Sequence, residues 1–131
     1  FVGTLFKIKP ILSMDVQDEG KISAIAKERQ TKRAYKHVQT DFDNLTKNMP
    51  YNIQCTIFDS LVPDKKKEWI EDYSAKFPKY KFYPSIIGPV VGVHVGQGTM
   101  AMIWCRDLDD YFDENGKPIE GINSEEVVDK A

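Results

Sequence analysis

The chain has 131 residues, of which 41% are hydrophobic and 29% are charged, and its formal net charge at pH 7 is -2. A chain of this length can form one domain that buries roughly two-thirds of its unfolded surface, and this composition excludes a disordered or fibrous protein. Since no segment approaches the roughly 20 apolar residues of a membrane-spanning helix and no signal peptide is visible, we expect a globular protein of the cytoplasm.

The first predicted elements form a β-hairpin. Residues 8–16 are rich in β-branched and aliphatic side chains, residues 17–20 supply a turn that ends in Gly20, and residues 21–27 can return as a second strand. The apolar stretch before them begins at Phe1 rather than at a methionine. We therefore expect the chain to be a piece of a longer protein.

Two amphipathic helices follow in the sequence. The first covers residues 31–47, where Thr31 can cap the free amides of the first turn. The second covers residues 63–77, with Pro63 at a first helical position and Pro78 just beyond the end. The predicted core-facing stripes are Ala34, Val38, Phe42 and Leu45 in the first helix, and Trp69, Ile70, Tyr73 and Phe77 in the second.

Three further strands complete the prediction. Residues 51–57 alternate apolar and polar side chains, which indicates a strand with one wet face. Residues 80–83 form a short strand, and residues 100–105 are a continuous apolar run typical of a central buried strand. The order ββαβαβ, then a glycine-rich segment, then β predicts an α+β fold, a two-layer domain in which two main helices lie against one mixed, mostly antiparallel sheet of five to six strands.

The cysteines and the charge distribution divide the chain further. Cys55 and Cys105 both lie in apolar runs, which favours buried, reduced thiols over a disulfide or a metal site. Residues 107–131 carry nine acids and two bases, so residues 1–106 carry a net charge of +5. We predict a folded domain over residues 1–112 and an acidic, mobile tail over residues 113–131.

The glycine-rich segment 87–99 is the most specific feature of the sequence. It contains four glycines, a proline and His94 directly before the last predicted strand. Gly96 and Gly98 permit positive φ and close approach of a ligand, and His94 can donate or accept a hydrogen bond. A glycine turn with a hydrogen-bonded core histidine is the structural alternative, and no phosphate-binding fingerprint is present.

Four segments together resemble the DegV family, which includes the fatty-acid-binding subunit of bacterial fatty acid kinase. They are residues 3–12 (GTLFKIKPIL), 18–21 (DEGK), 27–34 (KERQTKRA) and 88–98 (GPVVGVHVGQG). The resemblance covers residues 1 to about 106. Two departures affect loop geometry, since Gln97 replaces the usual proline and Gln30 separates Arg29 from a threonine that often follows the arginine directly.

The resemblance implies the carboxyl-terminal lobe of a two-lobed protein that binds a long-chain fatty acid and is not itself an enzyme. An amino-terminal lobe, missing here, would close the acyl tunnel and supply hydroxyls to the carboxylate. His94 would join that hydrogen-bond network beside Gly96 and Gly98, and Arg29 would add positive charge. A separate catalytic kinase subunit would phosphorylate the bound acid, and no cofactor is implied. Candidate tunnel-lining residues are Ile86, Ile87, Val90, Val91 and Val93, although an aliphatic run beside a sheet is more often simply part of the core.

Other functions remain open at this point. His94 could act as a general base in a transferase or hydrolase lobe, or the chain could be a partner-docking domain. The basic side chains around residues 27–36 and 65–67 fit either solvated faces or an acidic partner. Nucleic acid is disfavoured, because aromatic residues are not interleaved with these bases. His37 is predicted to be solvated, and two scattered histidines predict no metal site.

Overall fold

A computed structural model describes residues 8–14 and 19–121. The chain divides into two compact units, Phe1–Asn48 and Met49–Ala131. Part of the predicted hairpin, the first five residues of the GTLFKIKPIL motif and residues 122–131 of the predicted tail lie outside the described residues.

The first unit contains a two-stranded antiparallel ribbon and a helix. Strand β1 spans Lys9–Met14 and strand β2 spans Ile22–Glu28, with an irregularity in register between Ile11 and Leu12. Helix α1 spans Thr31–Thr46 and packs against both strands. The predicted hairpin and helix are therefore confirmed within the described residues.

Two details of α1 differ from the prediction. Its buried side chains are Phe42 and Thr46, whereas Leu45 is 56% exposed. The buried stripe therefore continues from Phe42 to Thr46, four residues on, and not to Leu45, three residues on. The residue that precedes the helix is Gln30, whose side chain makes no capping hydrogen bond, and Thr31 is already the first helical residue, so the predicted capping by Thr31 is wrong.

His37 is half-buried rather than solvated. Its Nδ1 lies 3.4 Å from Oε1 of Glu28, and its Nε2 lies 3.3 Å from Oδ2 of Asp41. Glu28 ends β2 and Asp41 lies one turn along α1. The histidine therefore links the helix to the ribbon, a structural role that a single-residue reading of the sequence could not reveal.

Within residues 49–121 the second unit contains three strands, two α-helices and a 3₁₀ helix. Helix α2 is amphipathic as predicted, and its carboxyl end lies within one residue of the predicted end. In chain order the elements are β3 (Ile53–Asp59), α2 (Pro63–Lys76), β4 (Lys81–Ile86), α3 (Pro89–Val95), β5 (Met100–Arg106) and the 3₁₀ helix (Leu108–Tyr111).

The three strands of this unit form a mixed sheet in the order β4-β3-β5. Strand β4 is parallel to β3, with α2 as the connection between them, and β5 is antiparallel to β3. The α+β class is confirmed, but the strands are divided between two sheets instead of one. Among the described strands β5 lies at an edge, so its predicted central position is wrong, and β3 is the central strand.

The core of the second unit lies between the sheet and α2. Ile53, Cys55 and Ile57 alternate along one face of β3 and are buried. Tyr73 of α2 is fully buried, as the helical stripe predicts. Its ring centroid lies 6.1 Å from that of Trp69, 5.8 Å from that of Phe77 and 5.6 Å from that of Phe82.

An arginine marks the end of β5. The guanidinium carbon of Arg106 lies 5.1 Å from the ring centroid of Tyr51 and 5.2 Å from that of Tyr111. The next amide, that of Asp107, donates a 2.8 Å hydrogen bond to the carbonyl of Asn52. The chain therefore leaves the sheet beside the residues at which it enters.

The first residues of the predicted tail form a turn. Phe112 and Pro118 make an isolated antiparallel bridge, and the Asp113 carboxylate accepts bonds from the amides of Asn115 and Lys117. This turn is exposed. The predicted boundary at residue 112 stays a prediction.

Candidate functional site

The segment that carries His94 folds as a short helix between two strands. Pro89 opens α3 and Gly96 follows its last residue. Gly96 has φ 81° and ψ 170°, a conformation that almost only glycine adopts, and Gly98 has φ 86°. The glycines at these two positions are therefore required by the backbone, as predicted.

Both ends of the 87–99 segment are hydrogen-bonded to the end of β3. The amide of Ile87 donates to the carbonyl of Asp59 over 2.9 Å. At the other end, the Gly98 amide donates to the Ser60 carbonyl over 2.8 Å, and the Ser60 amide donates to the Thr99 carbonyl over 2.9 Å. Because these bonds fix both ends, α3 is held against the carboxyl end of the central strand.

Gly92 faces this attachment and His94 faces away from it. A Cβ built on Gly92 would lie 3.9 Å from Oγ of Ser60, an ordinary contact distance. Two residues along a helix turn the side chain by roughly 200°, so His94 projects from the opposite side. His94 is exposed, and its ring makes no hydrogen bond to another of the described residues. The structure therefore does not have the core histidine of the alternative reading.

Large apolar side chains on α3 and on the segments next to it are left open to solvent. We call them the α3 apolar surface. Val90 and Val93 are 79% and 82% exposed, far more than an aliphatic core would allow. Ile87, by contrast, is half-buried. The members of the surface are Leu61 in the β3–α2 loop, Ile86 at the end of β4, and Val90, Val91, Val93 and Val95 on α3.

A buried ion pair supports the loop that precedes α2. Nζ of Lys66 lies 2.6 Å from Oδ1 of Asp59, and the two side chains are 14% and 4% exposed. The same ammonium donates to the Ser85 carbonyl over 2.8 Å, and Oδ2 of Asp59 accepts from the Val62 amide over 2.8 Å. The hydrogen bond from Lys66 holds the pKa of Asp59 below its usual range, against the effect of desolvation. One lysine thus connects the ends of both parallel strands.

The predicted site residues fall in both units. His94, Gly96 and Gly98 lie on one segment of the second unit, whereas Arg29 is exposed between β2 and α1 in the first. The neighbouring bases Lys27, Lys32, Arg33 and Lys36 are also exposed. A joint role of Arg29 and His94 stays a prediction.

The two cysteines differ in exposure. Both are free, and Cys55 is buried as predicted, but Cys105 is exposed because it pairs with Gln54 on the face of the sheet opposite Cys55. Burial, with a smaller effect of Cys105, raises the pKa of the Cys55 thiol to about 12. Among the described residues no cluster of three or more histidine, cysteine or acidic side chains could hold a metal ion. No helix in the same ranges is long and apolar enough to cross a bilayer.

Sequence reasoning missed the residues that support the His94 segment. Asp59 continues the inward-facing series Ile53, Cys55 and Ile57, and a carboxylate on such a face needs a buried partner. That signal was present in the sequence. The partner, Lys66, gives no comparable signal, because it is the middle one of three consecutive lysines.

A family model described as "Uncharacterised protein, DegV family" matches residues 1–107. The chain belongs to the DegV family. Protein DegV of Bacillus subtilis is 32% identical over 106 residues, which are 80% of this chain and 36% of that protein. A DegV domain-containing protein of Listeria innocua is 31% identical over 103 residues, covering 79% of this chain and 35% of the relative. The chain thus spans about a third of the length of the curated relatives it matches.

Solved structures of the family have the same fold. The crystal structure of DegV from Bacillus subtilis, described as a fatty acid binding protein, matches with a TM-score of 0.67 at 30% identity, over 82% of this chain and 36% of that one. A fatty acid binding DegV family protein from Streptococcus agalactiae matches with a TM-score of 0.64 at 27% identity, over 77% and 34% of the two chains.

Proposed function

We propose that this chain is the carboxyl-terminal lobe of a two-lobed, cytoplasmic fatty-acid-binding protein. In this role it helps to enclose a long-chain fatty acid and to position its carboxylate for phosphorylation by a separate kinase subunit. Two solved relatives are described as fatty acid binding proteins. The observation that carries the proposal is the exposed His94 on the α3 apolar surface.

The apolar surface supports the acyl part of the proposal. Four valines, an isoleucine and a leucine are between 38% and 82% exposed around one short helix. Clustered exposure of this kind marks a binding site more often than a free surface. A fatty acid gains roughly 0.8 kcal/mol for each methylene that it buries, so such a surface can supply much of the gross affinity.

The polar groups support the carboxylate part. A carboxylate that leaves water needs hydrogen-bond donors or an opposite charge. The His94 ring can donate from a nitrogen, and none of its capacity is used within the described residues. Gly96 and Gly98 keep the backbone beside it free of side chains. Arg29, the matching basic residue of the first unit, would add positive charge to the bound acid.

The remaining parts of the proposal concern partners. About two-thirds of the length of the relatives has no counterpart in this chain. Under this proposal, an amino-terminal lobe covers the α3 apolar surface and supplies further hydroxyl donors to the carboxylate. The exposed bases around Arg29 give the catalytic kinase subunit a positively charged docking surface. Under this proposal the lobe presents a substrate and performs no chemistry itself.

The test is His94→Ala in the complete protein in which this segment lies. Loss of one hydrogen bond to a charged group is worth about 1.5–3 kcal/mol, so the Kd for palmitate in titration calorimetry should rise about tenfold or more. Kinase-dependent formation of acyl phosphate should fall as well. Because His94 is exposed, the free energy of unfolding of the lipid-free protein should change by less than about 1 kcal/mol.

Gln97→Ala is the matched control, since Gln97 is exposed on the same segment and projects no charge. It should leave palmitate binding and stability unchanged. The 131-residue chain alone should bind palmitate weakly or not at all, because it lacks the proposed covering lobe. Unchanged palmitate affinity in His94→Ala, or tight stoichiometric binding by the isolated chain, would contradict the proposal.

A further inference from the structure

Leu61 has a backbone conformation that is unfavourable for leucine. Its φ is 60°, in the left-handed region, and among the described residues the only other non-glycine residue with positive φ is Glu19. Glu19 lies in the hairpin turn with Gly20, where such angles are common. Leu61 occupies the loop between β3 and α2, where a glycine or asparagine would adopt the same angles at less cost.

Hydrogen bonds on both sides fix this conformation. Ser60 is bonded through its amide to the Thr99 carbonyl and through its carbonyl to the Gly98 amide. The Val62 amide donates to Oδ2 of Asp59 over 2.8 Å. The chain therefore cannot relax the strain at Leu61 without giving up bonds that hold the 87–99 segment.

The leucine side chain gains little within the described residues. It is 75% exposed, so burial of the side chain does not offset the strain of the backbone. A strained residue that the surrounding structure holds in place is a feature of ligand sites. A large apolar side chain at such a position points to an apolar ligand, since a small or polar residue would serve the turn better.

The position of Leu61 identifies that ligand. Its neighbour Ser60 lies against Gly92 of α3 and is bonded to both Gly98 and Thr99. Leu61 therefore directly follows the residue whose backbone is bonded to the end of the His94 segment, and its apolar side chain is exposed there. We propose that Leu61 is a specificity-determining residue that contacts the methylenes of the bound fatty acid. This inference rests on the function proposed above.

The experiment compares Leu61→Gly and Leu61→Ala with wild type in the complete, delipidated protein. Palmitate affinity is measured by titration calorimetry, and stability without lipid by urea unfolding. Glycine removes both the strain and the side chain, so its urea midpoint should stay equal or rise while the Kd for palmitate rises about fivefold or more. Alanine keeps the strain and should raise the Kd similarly without raising the midpoint.

Leu45→Ala is the matched control, because Leu45 is an exposed leucine with helical backbone angles in α1. It should leave the palmitate affinity unchanged. A palmitate Kd in Leu61→Gly equal to that of wild type would overturn the inference while leaving the fatty-acid function intact. A large fall in the lipid-free urea midpoint of Leu61→Gly would also overturn it, since Leu61 would then pack against protein. Absence of palmitate binding by the wild-type protein would instead refute the proposed function.

Discussion

Replacement of Lys66 by methionine should destabilise the fold far more than replacement of its neighbour. Methionine keeps most of the length of the side chain but removes the charge 2.6 Å from Asp59. Removal of one partner of a buried ion pair costs about 3–5 kcal/mol, because the other charge stays buried without compensation. Since Lys66 is 14% exposed and Asp59 keeps the Val62 amide, we expect about 3 kcal/mol.

The control variants separate charge from packing. Lys67→Met removes a lysine that is 78% exposed and lies 4.0 Å from Glu71, so it should change the free energy of unfolding by less than about 1 kcal/mol. The double variant Lys66→Met with Asp59→Asn removes both buried charges. It should recover a large part of the stability lost by Lys66→Met alone, because no uncompensated charge is left.

The pH dependence gives an independent check. In the wild type the pKa of folded Asp59 is lowered, so this group stabilises the fold above the pKa of the unfolded chain, and that contribution is lost as the pH falls below about 4. In Lys66→Met desolvation should raise the pKa of Asp59, which reverses the sign. Urea unfolding should therefore show a larger difference between the two proteins at pH 7 than at pH 4. Equal losses at both pH values, or a loss no greater than that of Lys67→Met, would refute the reasoning.

Two further predictions follow from backbone angles and thiol burial. Gly96→Ala should lower the free energy of unfolding by about 1–3 kcal/mol, because φ 81° and ψ 170° suit only glycine. Gly92→Ala should be neutral or stabilising, since a Cβ there meets only an ordinary contact at 3.9 Å. Thermal unfolding of the two variants tests the difference, and equal melting temperatures would contradict it. Cys105 should react with iodoacetamide in the folded chain while Cys55 reacts only after unfolding, because Cys55 is buried and its pKa is raised to about 12. Mass spectrometry of the alkylated peptides tests this, and labelling of Cys55 in the folded chain would contradict it.

Local patterns predicted most of the elements. The period of two in residues 51–57 and the stripe around Tyr73 gave β3 and α2 within two residues at each end. Such signals depend on which face of one segment is buried, and that information is present in the segment itself.

The predictions that were wrong or missing concern features that depend on contacts between distant parts of the sequence. Strand β5 is apolar throughout, but its place at the edge depends on which strand it pairs with. Helix α3 lies in the segment that the sequence predicts only as glycine-rich, because its valines and Gly92 have low helix propensity. The bonds from Ile87 and Gly98 to the end of β3 confine this segment at both ends, which no local propensity records. For the candidate site, the motif predicted which glycines the backbone needs, and the ion pair beneath it could not be read from the lysine spacing.

The hydrogen bond from the Asp107 amide to the Asn52 carbonyl brings together the two points at which the chain enters and leaves the three-stranded sheet. Ile53 and Arg106 are paired across β3 and β5, so the chain enters and leaves the three-stranded sheet at adjacent points. The stacking of Arg106 between Tyr51 and Tyr111 closes that junction. Residues 51–111 therefore begin and end close together, an arrangement of the kind that tolerates insertion into a host loop.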